Sequence, residues 1–258
     1  MRDAIRLAVG TLTVVPTAPP KIVDRRVGSW AMTFAPLVGA LLALVAGTVL
    51  SLLTGISPLL AAALTIALLA MLTRAMHLDG LADTADGLGS GRSAMAALDI
   101  MRNGDIGPFG VVTIVLTVLI QVAALAQLVV EGIGPLSVAL ALVVSRLVLP
   151  VVCSRGIPAA RPEGLGQVVA ASVGKAQLLL AVGLAAVSVV ILAALAGVLL
   201  DVFAEEIIGP AMVSGLGLLA GGALCWWCVR RLGGVTGDVM GACVEVTFTA
   251  TLVVLAVV

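Results

Sequence analysis

The chain has 258 residues, of which 61% are hydrophobic and 11% are charged, and its formal net charge at pH 7 is zero. Because a soluble domain carries roughly 25% charged residues, this composition excludes a soluble domain and predicts an integral membrane protein in contact with the lipid bilayer. The zero net charge gives no electrostatic reason to expect a nucleic-acid partner.

The first predicted element is an N-terminal helix that lies on the membrane surface. The charged residues Arg2 and Arg6 lie off the apolar face of this helix, which would be formed by Ile5, Ala8, Val9 and Leu12. An apolar face beside a basic one is typical of an interfacial helix, so we expect no cleaved signal peptide here.

Seven apolar stretches follow, and each comes close to the roughly 20 residues that a helix needs to cross a bilayer. We therefore predict an all-α, polytopic bundle of transmembrane helices that forms one integral membrane domain over residues 1–258. In chain order the predicted spans cover residues 35–54, 58–75, 108–130, 135–153, 176–200, 207–229 and 240–258.

The basic residues are distributed unevenly between the two sides of this seven-span arrangement. All 14 Lys and Arg residues fall at or beside loops of one side. The only charged residues of the opposite loops are Glu131, Asp201, Glu205 and Glu206. Because Lys and Arg concentrate in cytoplasmic loops, we predict a multi-pass protein of the cell (inner or plasma) membrane with its N-terminus in the cytoplasm.

Acidic residues cluster directly after the second predicted span. His77, the only histidine, is followed by Asp79, Asp83 and Asp86, which share one face of a helix because their spacing is i, i+4, i+7. Like charges this close repel unless a cation lies among them, and carboxylates completed by phosphate oxygens suit Mg²⁺. We predict that the three aspartates bind Mg²⁺, that Asp83, Asp86 or His77 acts in catalysis, and that Gly87 leaves room for substrate.

Two basic residues of the same predicted side are candidates for binding a phosphorylated substrate. Arg102 lies in the Gly- and Asn-rich segment that enters the third span, where a structural turn is the alternative interpretation. Arg161 belongs to a second polar cluster between the fourth and fifth spans. We predict that both guanidinium groups contact phosphate oxygens.

The start of the last span contributes the remaining candidates. Asp238 and Glu245 are seven residues apart and would share a helix face, and Gly237 precedes them. Because Glu245 lies within an apolar run, an unpaired carboxylate there would be costly and needs a metal, an arginine or a substrate as its partner. We predict that both acids bind metal and that Gly237 contacts substrate.

Together these residues predict a membrane enzyme that transfers phosphoryl groups. Its active site would be formed by residues 74–108 and 230–245 on the cytoplasmic side. Phosphoryl transfer relies on metal ions and cations that neutralise phosphate charge, which matches this combination of acids and arginines.

Three segments, taken in order, resemble the cobalamin synthase (adenosylcobinamide-GDP ribazoletransferase) family: residues 77–87, 106–110 and 234–242. The resemblance implies a Mg²⁺-dependent enzyme that joins adenosylcobinamide-GDP to α-ribazole, or to its 5′-phosphate, and releases GMP. It also implies that the three aspartates of the first segment hold the metal and the GDP-linked pyrophosphate, with Asp238 as the matching acid of the third. Many relatives carry Asp-x-Arg where this chain has Asn103-Gly104-Asp105, so no role is carried over to those positions.

Two other functions remain as alternatives at this point. Asp83-x-x-Asp86-Gly87 is similar to the start of the CDP-alcohol phosphotransferase motif, but Ser90-Gly91-Arg92 stands where Ala-Arg is expected. An ion or metabolite transporter would also use acids near the membrane, although no internal repeat is evident and the acids crowd one surface. The sequence leaves a homo-oligomer open as an alternative to a monomer.

Overall fold

The computed structural model describes residues 1–53, 55–200, 209 and 212–258, with the side chains of 198–200 excepted. Within these residues the protein consists of helices and has no β-strand, which confirms the predicted all-α membrane bundle. In chain order the helices are α1 (Arg2–Leu12), α2 (Arg25–Thr33), α3 (Ala35–Leu52), α4 (Pro58–Leu72), α5 (Met76–Gly89), α6 (Ala94–Arg102), α7 (Pro108–Val130), α8 (Gly134–Val152), α9 (Gly164–Val169), α10 (Lys175–Leu200), α11 (Leu216–Leu232) and α12 (Gly237–Val257).

Six helical segments of the described chain are long and apolar enough to cross a membrane. They are α3, α7, α8, α10, the segment Met212–Leu232 that contains α11, and α12. The second predicted span corresponds to α4, which is only 15 residues long and is followed by α5 at an angle of 88°. The count of seven is reached when this bent pair is taken as one span. Asp201, Glu205, Glu206 and the start of the sixth predicted span lie outside the described residues.

The break between α4 and α5 has a clear backbone cause. Arg74 and Ala75 have positive φ angles of 55° and 52°, which no continuous α-helix contains. The Arg74 guanidinium donates hydrogen bonds to the carbonyl oxygens of Gly10 and Thr13, at the end of α1. These contacts anchor the break, so α5 turns away from the span.

The core of the bundle is built around α8. Almost every side chain of α8 is buried, and α3 and α12 pack along it. A Cβ atom at Gly39 would lie 2.6 Å from the carbonyl oxygen of Leu142, so this glycine allows α3 to approach the backbone of α8. Helices α7 and α10 instead expose apolar side chains such as Leu119 and Ile191 on the surface that lipid would cover.

Helix α1 is not long enough to be a span and packs one face on the protein. Its buried side chains are Ala4, Ala8 and Leu12, whereas Ile5 is 50% exposed. Ala8 and Leu12 of the predicted face are therefore buried, but Ala4 takes the place of Ile5, because the helix packs on α2 and α3.

Candidate active site

The site lies where the first turns of α5 and α12 touch. A Cβ atom at Gly80 would lie only 2.7 Å from the carbonyl oxygen of Asp238, and one at Gly241 would lie 3.3 Å from the Cα of His77. Helices approach this closely only where side chains are missing. The glycines thereby bring Asp79 and Asp238 to the same place from positions far apart in the sequence.

Asp238 is fixed by its own helix start and by one arginine. The hydroxyl of Thr236 accepts a hydrogen bond from the amide of Val239 (3.2 Å), which caps α12, and lies 3.1 Å from a carboxylate oxygen of Asp238. Nη1 of Arg161 lies 3.9 Å from the same oxygen, while Nη2 donates to the carbonyl of Leu98 (2.6 Å). Arg161 is thus held beside the acids, as expected for a residue that contacts phosphate.

The electrostatics of the site favour a bound cation. Partial burial, together with the negative charges of Asp79, Asp238 and Asp86, raises the pKa of the Asp83 carboxyl to about 6, although Arg161 opposes the shift. Such mutual repulsion shows that the positive charge near these acids is too small to neutralise them. A divalent cation or a further cationic side chain would supply the missing positive charge.

A cavity of about 300 Å³ opens beside these acids. Its polar lining residues include Asp79, Asp238, Arg161 and Glu163, and Leu12 and Met32 contribute to its apolar wall. Gly237 also lines the cavity, and a Cβ atom there would meet nothing within 4 Å, which agrees with the predicted substrate contact. The cavity is therefore a place where a phosphorylated ligand would meet the acids.

His77 also lines this cavity and has an unusual environment. It is only 2% exposed, and neither ring nitrogen has a hydrogen-bond partner within the part of the chain that the structure describes. Burial, with a smaller contribution from the charge of Arg146, lowers the pKa of His77 to about 3, so the ring is neutral. A buried polar group without a partner is costly, which a ligand in the cavity would relieve.

Asp86 is engaged in a different way. Its two carboxylate oxygens accept hydrogen bonds from the amides of Gly107 (2.7 Å) and Gly110 (2.9 Å), at the start of α7. The side chain is 6% exposed and is absent from the cavity wall. This geometry favours a structural role, in which Asp86 fastens α5 to α7, over the predicted roles in metal binding and catalysis.

Glu245 lies two turns beyond Asp238 and lines another, smaller cavity. Nε2 of Gln121 donates to its carboxylate (2.9 Å), and Arg146 lines the same small cavity. The predicted partner for this acid is therefore supplied by Gln121 and Arg146, and the structure does not bring Glu245 to the Asp79 group. Arg146 lies within α8 and is 3% exposed, so it is an exception to the prediction that every Lys and Arg residue lies at or beside a loop.

Two of the predicted substrate contacts, Gly87 and Arg102, do not line the cavity. Gly87 faces α6, because a Cβ atom there would lie 2.6 Å from Cγ of Met101, so its small size serves helix packing. Arg102 is exposed and pairs with Glu163 at 3.6 Å, at the rim of the site. Of these two residues, only Arg102 lies where it could contact a substrate.

The acids do not form a complete metal site by themselves. Across residues 1–53, 55–200 and 212–258, no group of three or more His, Cys, Asp or Glu side chains is arranged to hold a metal ion. Mg²⁺ in enzymes is usually bound by one or two carboxylates together with substrate phosphates. Asp79 and Asp238, the two aspartates of the cavity wall, fit that pattern, in which the substrate would complete the coordination.

Comparisons with known proteins give a consistent result. A family model described as cobalamin-5-phosphate synthase matches residues 4–256. The chain is 38% identical to a protein of Frankia casuarinae over 97% of this chain and 93% of that protein, and 38% identical to one of Nocardioides sp. over 98% and 97%. A protein of Syntrophobacter fumaroxidans is 37% identical over 92% and 90%. All three are named adenosylcobinamide-GDP ribazoletransferase, and no solved structure matches significantly.

Proposed function

This chain belongs to the cobalamin-5-phosphate synthase family of transferases, and we propose that it joins adenosylcobinamide-GDP to α-ribazole, or to its 5′-phosphate, with release of GMP. The observation that carries the proposal is a cavity lined by Asp79, Asp238 and Arg161, with Asp83 close enough for the neighbouring acids to raise its pKa. The family match over residues 4–256 favours this reaction over the CDP-alcohol phosphotransferase and the transporter considered above.

Asp79 and Asp238, which line the cavity, are the residues that would hold Mg²⁺, with Asp83 beside them. When bound there, the ion would supply neutralisation of the diphosphate charge. Arg161 would contact the same diphosphate, because its guanidinium is already held beside Asp238 by the carbonyl of Leu98.

The transfer itself forms one bond and breaks one. A ribose hydroxyl of α-ribazole attacks the phosphorus attached to cobinamide, and the bond from that phosphorus to the departing GMP breaks, with GMP taking the electron pair. The proton of the hydroxyl goes to the Asp83 carboxylate rather than to His77, because a pKa of about 3 makes the His77 ring a poor proton acceptor.

The site is assigned to the cytoplasmic side of the membrane. The proposal is supported by the arginines that surround the site, since Lys and Arg concentrate in cytoplasmic loops. It is also supported by the substrates, because nucleotide-linked and phosphorylated metabolites are charged and would reach the cavity from water.

The deciding experiment measures GMP release by the purified, detergent-solubilised protein. The assay contains adenosylcobinamide-GDP, α-ribazole and Mg²⁺, with a parallel EDTA sample. We expect GMP and a cobalamin product in equal amounts, both abolished by EDTA and restored by added Mg²⁺. Product that still forms in the presence of EDTA would contradict the proposed Mg²⁺ dependence. Absence of product from folded protein would contradict the reaction, and CDP-diacylglycerol with small alcohols would then be tested as substrates.

A further inference from the structure

A second concave surface, separate from the reaction cavity, is lined by three arginines. This basic pocket has a volume of about 440 Å³ and is open to the outside. It lies at one end of the bundle, where α2 begins, the chain leaves α8, and α10 begins. Its lining residues are Arg25, Arg26, Ser29, Trp30, Arg155, Ala171, Ser172 and Gln177.

The lining of the basic pocket carries a net positive charge. No acidic residue lines it, and the side chains of Arg26 and Arg155 make no ion pair or hydrogen bond with any described residue. Arg25 donates to the carbonyls of Gln167 (3.3 Å) and Ala170 (2.9 Å), which position its charge without neutralising it. The adjacent Asp24 uses its carboxylate to cap α2 through the amide of Val27.

The pocket also has an ordered polar and aromatic lining. Ser29 is 5% exposed, and its hydroxyl accepts a hydrogen bond from Nε2 of Gln177 (3.1 Å), which ties α2 to α10. Trp30 stacks on Phe34, with ring centroids 5.6 Å apart. Isolated surface arginines are usually only solvated, but here three of them surround a shaped surface next to an interfacial tryptophan.

We propose that the basic pocket binds the phosphate headgroup of an anionic phospholipid from the adjacent membrane leaflet. Guanidinium groups bind phosphate oxygens with paired hydrogen bonds, and basic pockets between transmembrane helices on the cytoplasmic side are suited to anionic headgroups. The position at the ends of the spans places the arginines where headgroups lie, which favours a lipid over a phosphate ion from solution.

Helix α9 lies between the basic pocket and the reaction cavity and contacts both. Arg25 holds the end of α9, and a Cβ atom at Gly28 would lie 3.0 Å from Cγ1 of Val168 in the same helix. Gly164 and Gly166, at the other end of α9, line the reaction cavity. A lipid in the basic pocket would therefore stabilise the packing of α2 on α9, whichever reaction the protein catalyses.

The test is native mass spectrometry of the full-length protein in detergent, titrated with phosphatidylglycerol or with phosphatidylcholine. We expect retention of one phosphatidylglycerol at a lower concentration than phosphatidylcholine. Because each basic residue near a headgroup contributes about fivefold in affinity, Arg26→Gln/Arg155→Gln should weaken phosphatidylglycerol binding by about 25-fold. Arg2→Gln/Arg92→Gln removes the same charge from exposed positions outside the pocket and should keep the preference.

A second readout uses the unaltered pocket. In Trp226→Phe/Trp227→Phe, whose replaced side chains are exposed, Trp30 is the only tryptophan, so its emission should shift on addition of phosphatidylglycerol and not phosphatidylcholine. Equal retention of the two lipids would overturn the proposal, as would a preference that survives in Arg26→Gln/Arg155→Gln. Binding of inorganic phosphate that this variant loses, without any lipid preference, would replace the lipid by a free phosphate ion.

Discussion

The aspartates of α5 differ in what their oxygens contact. Asp79 and Asp83 lie beside Asp238 and Arg161, where a substrate phosphate and a cation would be bound. Asp86 lies on the same helix but accepts two backbone amides from α7. The same residue type therefore serves ligand binding at two positions and helix packing at the third, and substitutions should separate these roles.

Asp83→Asn should reduce turnover while leaving the protein folded. The amide keeps the size of the side chain but loses the negative charge and the ability to take a proton, so we expect kcat to fall by about 100-fold or more. GMP release measures the effect. Asp99→Asn changes an exposed acid on α6 and is the matched control. Wild-type turnover in folded Asp83→Asn would contradict the assignment of this residue.

Asp86→Asn should primarily lower stability. An asparagine oxygen would accept only one of the two amides, and its NH₂ group would face the other donor, so we expect a loss of about 2 kcal/mol in the free energy of unfolding. Thermal unfolding in detergent measures this loss, with Asp99→Asn again as the control. A stable Asp86→Asn protein with the turnover loss of Asp83→Asn would show that Asp86 belongs to the reaction instead.

At the scale of elements, the site depends on the contact between α5 and α12. The break after α4 turns α5 by 88°, and Gly80 and Gly241 then let its first turn meet the start of α12. Without this close approach, Asp79 and Asp238 would be separated by at least the thickness of a side chain. Gly80 and Gly241 are thus positioning residues, because their lack of side chains lets Asp79 and Asp238 come together.

Gly80→Ala should push α5 and α12 apart. The new Cβ atom would lie 2.7 Å from the carbonyl oxygen of Asp238, and backbone cannot yield as a flexible side chain does, so we expect about 1–3 kcal/mol of destabilisation and reduced turnover. Gly222→Ala is the matched control, because it is also a helical glycine but its Cβ atom would meet nothing within 4 Å. Equal effects of the two substitutions would show that the close contact is unimportant.

At the scale of the whole molecule, the distribution of charge defines one end of the bundle as the functional end. The reaction cavity and the basic pocket both lie at the end of the bundle where α8 ends and α10 and α12 begin, near Arg155, Arg161 and Lys175. The opposite loops have few charges, of which Glu131 lies within the described chain. Such asymmetry predicts the orientation of the protein in the membrane.

Labelling with a membrane-impermeant maleimide tests this orientation. The four native cysteines are all buried, so the background is low, and Asp105→Cys and Glu131→Cys place single thiols at exposed positions. We expect Asp105→Cys to react only in inverted membrane vesicles and Glu131→Cys only in right-side-out vesicles. The reverse pattern would place the active site outside the cytoplasm.

The amino-acid sequence by itself determined the fold class, most span positions and the segments that form the site. These properties follow from local composition, because a long apolar run has few alternatives to a membrane helix, and acids among apolar neighbours indicate function. The spacing of Asp79 and Asp83 indicated a shared helix face. The break after α4 could not be located in this way, because it depends on contacts between Arg74 and the end of α1.

Only the tertiary structure decided which polar groups are partners. Asp86 meets amides 21 and 24 residues away, and Glu245 meets Gln121 across 124 residues of sequence. A helix pattern identifies the face on which a side chain lies but not the element that packs against that face. Asp238 therefore joins the α5 acids while Glu245, on the same helix, does not, because a buried carboxylate is stabilised by whichever donor the packing of the bundle places within hydrogen-bond distance.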